Sequence, residues 1–164
     1  MVRRALSSDF TAIRAALREG KRGGRTSLID AMYAGLALAE RGDRRTLLLT
    51  FSDGVDTSSW LDPQTVIDVA KQSSTVVYGV STSSPSGTPA MLREIADATG
   101  GEVFDGTSRR LETTFTEILD EFRQRYLLTF SPDRMPAPGW HKLEVRVKRR
   151  GVTVKARSGY FVGR

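Results

Sequence analysis

Apolar residues along the chain alternate between short continuous runs and helical spacings of three and four. The continuous runs are typical of strands covered on both faces, and they lie at Thr46–Phe51, Thr75–Val80 and, as a short strand, Glu102–Phe104. Helical spacing predicts helices over Asp9–Arg18, Ser27–Gly42, Pro63–Lys71, Ala90–Gly100 and Arg110–Arg125. This β-α-β-α-β-α order predicts an α/β fold, with a parallel sheet between two layers of helices.

Local capping patterns support two of these helix starts. Ser27 and Asp30 read S-x-x-D, the pattern of a capping box, and this predicts a helix start at Ser27. Asp62 followed by Pro63 combines an N-cap residue with a proline at the first helical position. Both patterns place a helix start shortly after a loop that is rich in small polar residues.

After Tyr126 the pattern changes from helical to extended. Tyr126–Phe130 is predicted to be a strand, and alternating apolar and charged residues over 142–148 and 152–157 predict a hairpin that turns through Arg149–Gly151. We therefore divide the chain into an α/β part over residues 1–125 and a small antiparallel β-strand and hairpin extension, packed on it, over residues 126–164.

The formal net charge of +6 is concentrated at the two ends of the chain, in residues 1–25 and 141–164, while the region between them is acidic. Two interpretations remain open: a solvated face that keeps the protein soluble, or a binding surface for nucleic acid or an acidic surface polymer. The second interpretation would use Arg146, Lys148, Lys155 and Arg157. The sequence has no cysteine, no signal peptide and no apolar run long enough to span a membrane.

Several kinds of catalytic or nucleotide-binding site are excluded by single residues. A P-loop fails because Glu19 stands where its first glycine belongs and Arg25 replaces the lysine. An aspartyl-phosphate site fails because Phe51 stands two residues before Asp53, where the nucleophile would lie. The only histidine, His141, starts the terminal hairpin, and no nucleophile elbow accompanies it. The sequence therefore predicts that the protein is not an enzyme.

Asp53 lies where the first predicted strand meets its loop, which is the position of ligand sites in open α/β sheets. Its carboxylate, combined with the Thr26 hydroxyl before a predicted helix, offers the oxygen ligands that Mg²⁺ prefers. The alternative is that Ser52-Asp53-Gly54 is only a polar turn.

Six segments in this order resemble the von Willebrand factor type A (VWFA) domain, in particular the bacterial, acidobacterial-type VWFA-related proteins. They read GGRTSLIDAMYAGL, LLLTFSDGVDTSS, YGVST, LREIADATGGEVF, RQRYLLTFSP and VRVKRRGVTVKARSGYF, and the resemblance covers about Ser7 to Val162. It implies a Rossmann-like parallel sheet with flanking helices and a metal-ion-dependent adhesion site (MIDAS). Thr26 and Asp53 match two loops of that site, with Mg²⁺ or Mn²⁺ as the implied metal. Relatives are often exported, which leaves the localisation open.

The third MIDAS loop, D-x-S-x-S, should lie upstream of Thr26, and no stretch there matches it. Asp56-Thr57-Ser58 fits D-x-S, but Trp60 stands in place of the last serine. We therefore expect the C-terminal portion of a VWFA domain with an incomplete MIDAS that binds metal weakly. The implied function is a non-enzymatic protein-interaction or adhesion module, with a basic binding module and a metal-assisted hydrolase as alternatives.

The expected partner is a protein ligand, the missing N-terminal half or a neighbouring chain, rather than a specific nucleic acid. In the family, the strand that matches Thr46–Phe51 lies beside the strand that carries D-x-S-x-S. Its exposed edge predicts a homodimer, aggregation or partial unfolding through this strand, unless Tyr126–Phe130 folds back to cover it.

Overall fold

The computed structural model describes residues 7–19, 23–41, 45–82, 89–106, 111–132 and 137–163. Within these ranges the helices and the first three strands follow the predicted order. The elements are α1 (Phe10–Arg18), α2 (Leu28–Ala39), β1 (Leu47–Ser52), α3 (Pro63–Gln72), β2 (Val76–Ser81), α4 (Ala90–Thr99), β3 (Val103–Asp105), α5 (Leu111–Arg123), β4 (Gly139–Lys142) and β5 (Gly159–Val162).

Strands β1, β2 and β3 form a parallel sheet in that order, with β2 in the middle. Leu47 lies opposite Val76 in the first pair, and Gly79 lies opposite Val103 in the second. The chain passes from β1 to β2 through α3 and from β2 to β3 through α4, which confirms the predicted α/β class and the parallel sheet. All three strands end at the same edge of the sheet, so the loops that follow them lie on one side of the molecule.

Helices cover both faces of this sheet. Helices α2, α3 and α4 pack on one face, and the buried side chains of that core come from these helices and from Val77; they are Leu28, Ile29, Met32, Leu36, Val66, Ile67, Ala70, Val77, Met91, Leu92 and Ile95. Helix α5 packs on the other face, where Ile118 contacts Tyr78 and Val80. Successive strand residues point to opposite faces, so Leu48 belongs to the first core and its neighbours Leu47 and Leu49 to the second.

The second core contains a buried polar network around Tyr78. The Tyr78 hydroxyl donates a hydrogen bond to Glu121, and Arg125 Nη2 donates to the Tyr78 hydroxyl at 2.7 Å and to Glu121 at 3.1 Å. Arg125 also donates to the carbonyl of Gly100, at the end of α4. This network joins β2, α4 and the end of α5. Burial, and then the hydrogen bond to Glu121, raise the pKa of Tyr78 to about 12.

Two adjacent glycines follow α4 where it meets the sheet and the C-terminal region. Gly100 ends the helix in the left-handed conformation, with φ of 77°, at the residue where the sequence predicted its end. A Cβ atom at Gly100 would lie 2.8 Å from the Arg157 backbone nitrogen, and one at Gly101 would lie 1.8 Å from the Val77 carbonyl oxygen. Neither position has room for a side chain.

Helix α1 forms as predicted but contributes little to the core. Its N-cap is Asp9, whose carboxylate accepts hydrogen bonds from the backbone N–H groups of Thr11 and Ala12 at 3.0 Å. No residue of α1 is buried, and Phe10 and Leu17 are 75% and 76% exposed. The apolar stripe of this helix therefore remains open to solvent.

The predicted strand at Tyr126–Phe130 is wrong. The segment forms neither a helix nor a strand and pairs with no strand in the described part of the chain, and its apolar side chains are exposed, with Tyr126 at 91%. Pairing depends on a neighbouring strand as well as on composition, and this segment has no such neighbour in the described part of the chain. It follows α5, which ends near the edge of the sheet where the strands begin. There the Arg45 guanidinium donates to the Arg125 carbonyl at 3.2 Å.

The predicted antiparallel hairpin is confirmed in part. Its turn falls where expected, with Gly151 at φ of 73°, but the paired strands lie further out, as β4 and β5. Trp140 lies opposite Phe161 in this two-stranded sheet. The alternating stretches predicted as strands, 142–148 and 152–157, carry almost none of the ladder. Many of their side chains are exposed, so little burial stabilises regular pairing there.

The hairpin is attached to the α/β part through two basic side chains. Arg157 donates to the Lys71 carbonyl at 3.0 Å, at the end of α3. Lys155 forms ion pairs with Glu102 and, at 2.8 Å, with Glu121. Cations near the C-terminal ends of helices are stabilised by the helix dipole. The extension is thus packed at the edge of the sheet where the strands begin.

Tyr78→Phe is expected to change how stability depends on alkaline pH. An unfolded tyrosine ionises near pH 10, whereas the buried hydroxyl holds its proton until about pH 12. The contribution of the neutral Tyr78 hydroxyl to the free energy of unfolding is therefore complete below pH 10 and decreases as the pH rises towards 12. Urea unfolding between pH 8 and 11 measures this loss. The wild type should lose more stability than Tyr78→Phe, with Tyr33→Phe, a change at an exposed tyrosine, as the control. Equal losses in all three proteins would contradict the buried network.

Candidate functional site

The loop after β1, residues 53–62, lies against the start of α2 at the edge where the parallel strands end. The backbone N–H groups of Thr57 and Ser58 donate to the Thr26 carbonyl at 2.8 and 3.1 Å. In return, the Thr26 N–H donates to the Thr57 hydroxyl at 2.8 Å. The loop before α2 and the loop after β1 are therefore clasped together. Ligands of open α/β sheets bind at this edge, which makes the pair of loops the candidate site.

Asp56 is the main acceptor in this clasp. One carboxylate oxygen accepts hydrogen bonds from the Ile29 N–H at 3.0 Å and from the Ser59 hydroxyl at 2.6 Å. The other accepts from the N–H groups of Ser58 and Ser59 at 3.2 and 3.0 Å. The Ser59 hydroxyl, and then the backbone donors, outweigh desolvation and hold the pKa of Asp56 well below its usual range.

The capping box predicted for Ser27 and Asp30 is wrong. Ser27 is the N-cap of α2, but its side chain makes no capping hydrogen bond; its hydroxyl oxygen lies 2.9 Å from that of Ser58. Instead, Asp56 caps the Ile29 N–H, and the Ser59 hydroxyl accepts from the Asp30 N–H at 3.2 Å. The helix is capped by a loop from another part of the chain, which the local S-x-x-D pattern does not indicate.

Asp30 anchors the far end of the same loop. Its carboxylate accepts hydrogen bonds from the Trp60 N–H, at 3.1 and 3.0 Å to its two oxygens, and from the Leu61 N–H at 3.0 Å. The backbone at Trp60 is therefore fixed, while the Trp60 side chain is 95% exposed. Val55 and Phe51, which flank Asp53 at the same edge, are 57% and 53% exposed. Apolar side chains thus surround a rigid polar loop.

The two predicted metal ligands, Thr26 and Asp53, lie on the two clasped loops, and both are exposed. Thr26 contributes its backbone N–H and carbonyl to the clasp. The Asp53 carboxylate accepts from the Val55 N–H at 3.2 Å, and the Gly54 N–H, at φ of 93°, donates to the Ser52 hydroxyl at 3.0 Å. The polar turn that the sequence left as an alternative for Ser52-Asp53-Gly54 is therefore present, and the metal role of Asp53 stays a prediction.

The donor set at this edge consists of oxygen atoms, which suits Mg²⁺ or Mn²⁺. The part of the chain that the structure describes contains no group of three His, Asp or Glu residues arranged to hold a metal ion. Asp56, the carboxylate nearest in sequence to Asp53, already accepts four hydrogen bonds from α2 and its own loop. The two side chains predicted as ligands, Thr26 and Asp53, would supply only part of an Mg²⁺ or Mn²⁺ coordination shell.

His141 lies away from this edge, in β4. Its ring Nε2 is 2.7 Å from the Ala137 carbonyl oxygen, and its ring stacks on Tyr160 with centroids 5.4 Å apart. Both contacts are made within the C-terminal extension.

Asp56 and Trp60 are the site residues that sequence reasoning did not select. In the sequence, Asp56 is only an imperfect match to D-x-S-x-S, and Trp60 is the residue that breaks that match. An Asp followed within three residues by two serines, as at Asp56, Ser58 and Ser59, does indicate a loop whose side chains form hydrogen bonds with its own backbone. The contact with Ile29 spans 27 residues and has no local indication.

Comparisons with known proteins do not place the chain in a family. No family model matches it, and no curated protein matches it. One solved structure is similar in part, described as an uncharacterized membrane spanning protein from Vibrio fischeri. That likeness has a TM-score of 0.39 and 19% sequence identity, and it covers 71% of this chain and 67% of that one. Among the described residues of this chain, no helix is both long enough and apolar enough to cross a membrane.

Asp56→Asn is expected to lower the free energy of unfolding by about 1 kcal/mol, the usual cost of losing a charged N-cap. Because the pKa of Asp56 is lowered in the folded state, its contribution is complete above pH 5 and is lost as the pH falls through the acid range. Chemical unfolding at pH 7 and pH 3 measures both effects. The difference in the free energy of unfolding between the wild type and Asp56→Asn should be smaller at pH 3 than at pH 7. Asp68→Asn, at an exposed residue of α3, is the control, and an equal loss in both variants would contradict the capping role.

Proposed function

We propose that this chain is a non-enzymatic protein-interaction module of the VWFA kind, whose binding surface is the edge of the sheet formed by the two clasped loops. The parallel sheet with helices on both faces is the coarse architecture that such a module needs. The resemblance in sequence supports the finer assignment to a Rossmann-like VWFA domain. The observation that carries the proposal is Trp60, which is almost fully exposed on a backbone held by Asp30.

An exposed tryptophan on a fixed backbone is typical of a protein-binding surface. Tryptophan is enriched among the residues that dominate interface energies, because it buries a large area at a small cost in conformational entropy. Hydrogen bonds from Trp60 and Leu61 to Asp30 reduce that cost further, since the loop is ordered before a partner binds. Val55 and Phe51 extend the apolar area around the polar rim.

Within this proposal, Thr26 and Asp53 hold Mg²⁺ or Mn²⁺ as an incomplete MIDAS. When bound, the metal would supply a positive charge at the rim that can accept a carboxylate from the partner. Two side chains leave most of the coordination shell to water or to the partner. Metal and partner therefore support each other's binding, and either alone binds weakly.

The alternative of a basic binding module is less well supported by the contacts of the extension. It requires Arg146, Lys148, Lys155 and Arg157 to face a polyanion. Arg146 is paired with Glu144 at 2.7 Å, and Lys155 and Arg157 are turned onto the α/β part. Three of the four cations thus have partners within the chain, so only weak binding to nucleic acid, strongly dependent on salt, is expected.

The alternative of a metal-assisted hydrolase is less well supported by the described residues. Asp56 accepts four hydrogen bonds, and its lowered pKa makes it a weak proton acceptor. His141 lies within the C-terminal extension, where it contacts Ala137 and Tyr160. The arrangement of residues at this edge favours binding over catalysis.

Metal binding is expected to be weak, with a dissociation constant of about 1 mM or more for Mg²⁺ and Mn²⁺. Calorimetric titration of the wild type and Asp53→Ala measures it, and any heat of binding should disappear in the variant. Asp68→Ala should leave it unchanged. Micromolar binding that depends on Asp53 would show that the site is complete, which would contradict the proposal of an incomplete MIDAS.

Trp60→Ala is expected to reduce binding of a protein partner by about 30-fold or more, the effect of removing a dominant interface residue. A partner recovered with the immobilised wild type is purified, and its affinity is then measured for the wild type, Trp60→Ala and Leu17→Ala. Leu17 is a matched control because it is an exposed apolar residue of α1, outside the two clasped loops. Unchanged affinity in Trp60→Ala, or equal losses in both variants, would contradict the proposed surface. Phosphoester turnover that depends on Asp53 would contradict the non-enzymatic assignment.

A further inference from the structure

Strand β1 has an unsatisfied edge in the described part of the chain. It pairs with β2 on one side only, through residues such as Thr46, whose carbonyl accepts from the Val76 N–H at 3.0 Å. In a parallel ladder every second residue bonds to the same neighbour, so the N–H and C=O groups of Leu47, Leu49 and Phe51 point to the open side. Edge strands usually carry charges that prevent further pairing, and β1 carries none.

A groove of about 500 Å³ runs along this open edge. Five consecutive β1 residues, 48–52, line one side of it, and the start of α2, including Ala31 and Met32, lines the other. Consecutive strand residues point to opposite faces of a sheet, so only a groove along the strand edge can contact all five. Its size and position suit one further strand between β1 and solvent, with half of its side chains under α2.

The chain carries a second copy of the β1 sequence in an unpaired state. Residues 47–52 read LLLTFS and residues 126–131 read YLLTFS, so five of six positions are identical. The second hexapeptide forms no helix or strand and lacks charged residues, and its Leu127 and Leu128 are 77% and 70% exposed. It therefore has the composition of a strand that is buried on both faces.

The start of this hexapeptide is already at the foot of β1. The Arg45 guanidinium, two residues before β1, donates to the Arg125 carbonyl, directly before Tyr126, at 3.2 Å. A strand that ran from there parallel to β1 would place Tyr126 opposite Leu47 and Ser131 opposite Ser52. In this register Leu127 and Thr129 face α2, while Tyr126, Leu128 and Phe130 continue the apolar row on the α5 side.

The connection from β3 through α5 to this fourth strand would be right-handed, which is the favoured hand for parallel strands. Helices α3 and α4 carry the chain from β1 to β2 to β3 on one face, and α5 lies on the other face. The connection from β3 back to the open edge of β1 crosses the sheet in the direction opposite to the first two connections. Because its helix, α5, lies on the opposite face, this connection is right-handed as well.

We propose that residues Tyr126–Ser131 form a fourth parallel strand on the open edge of β1 of their own chain, so that the domain alternates between the described state and a closed one. Closure costs the edge-to-face contact between Phe130 and Tyr160, whose centroids are 5.2 Å apart. It buries the exposed leucines and pairs both sets of backbone groups. Tethering beside β1 gives this segment a higher effective concentration than a second copy of the chain has. The proposal goes beyond the proposed function and does not depend on the metal or on Trp60.

A disulfide scan tests the register. The chain has no cysteine, so Leu49→Cys/Leu128→Cys introduces the only pair. Opposed Cα atoms of neighbouring strands lie about 4.8 Å apart, within the range of a disulfide. Mild oxidation of dilute protein is expected to form an intramolecular bond on the order of tenfold faster than in Leu49→Cys/Phe130→Cys, which is displaced by two residues. Circular dichroism before oxidation checks that both variants are folded.

Mass spectrometry under non-reducing conditions separates the outcomes. A bond within one chain at the in-register pair supports the closed strand. A bond between two chains would assign the edge to a homodimer through Thr46–Phe51 and overturn the proposal. Equal rates in the two variants would overturn it as well. Hydrogen exchange on the unmodified protein gives an independent check, because closure protects the amides of Leu49 and Phe51, and Thr129→Pro should remove that protection at least several-fold.

Discussion

The carboxylate of Asp56 joins the two halves of the candidate surface, because it accepts hydrogen bonds both from its own loop and from the first turn of α2. This contact holds the start of α2 against the loop after β1, beside the groove that the two elements line. It also sets the loop that ends at Trp60. The Ser59 hydroxyl, and then the backbone N–H groups of Ile29, Ser59 and Ser58, lower the pKa of this carboxylate, so the same contacts that order the loop keep Asp56 charged.

Much of the architecture could be predicted from local patterns. Asp62 caps α3 as predicted, accepting from the Thr65 N–H at 3.0 Å, and the apolar runs at β1 and β2 form neighbouring strands of the parallel sheet. These predictions succeed because the cause of each element lies within a few residues of it. The capping box at Ser27 failed because the partner that decides the cap, Asp56, lies 27 residues from Ile29. A pattern that is local in sequence cannot indicate a contact of that range.

Tyr126–Phe130 shows the same limit for strands. Its sequence is nearly that of β1, yet β1 is paired and Tyr126–Phe130 is unpaired and exposed in the described part of the chain. Strand formation depends on a neighbour with free backbone groups, and composition alone does not specify one. The basic pattern of the hairpin is a related case: charge alternation predicts a solvated face, but Lys155 and Arg157 contact carboxylates and a carbonyl of the α/β part.

Gly100 and Gly101 form a point at which the molecule tolerates very little sequence variation. Gly100 has a left-handed backbone and contacts the chain at Arg157, while Gly101 lies against the Val77 carbonyl. The two constraints have different origins, one in the docking of the hairpin and one in the approach of a turn to β2. Neither can be relieved by a change at the other position. Among proteins that descend from this sequence, Gly100 and Gly101 should therefore accept amino-acid substitutions more slowly than α4 does, even though neither residue has a functional side chain.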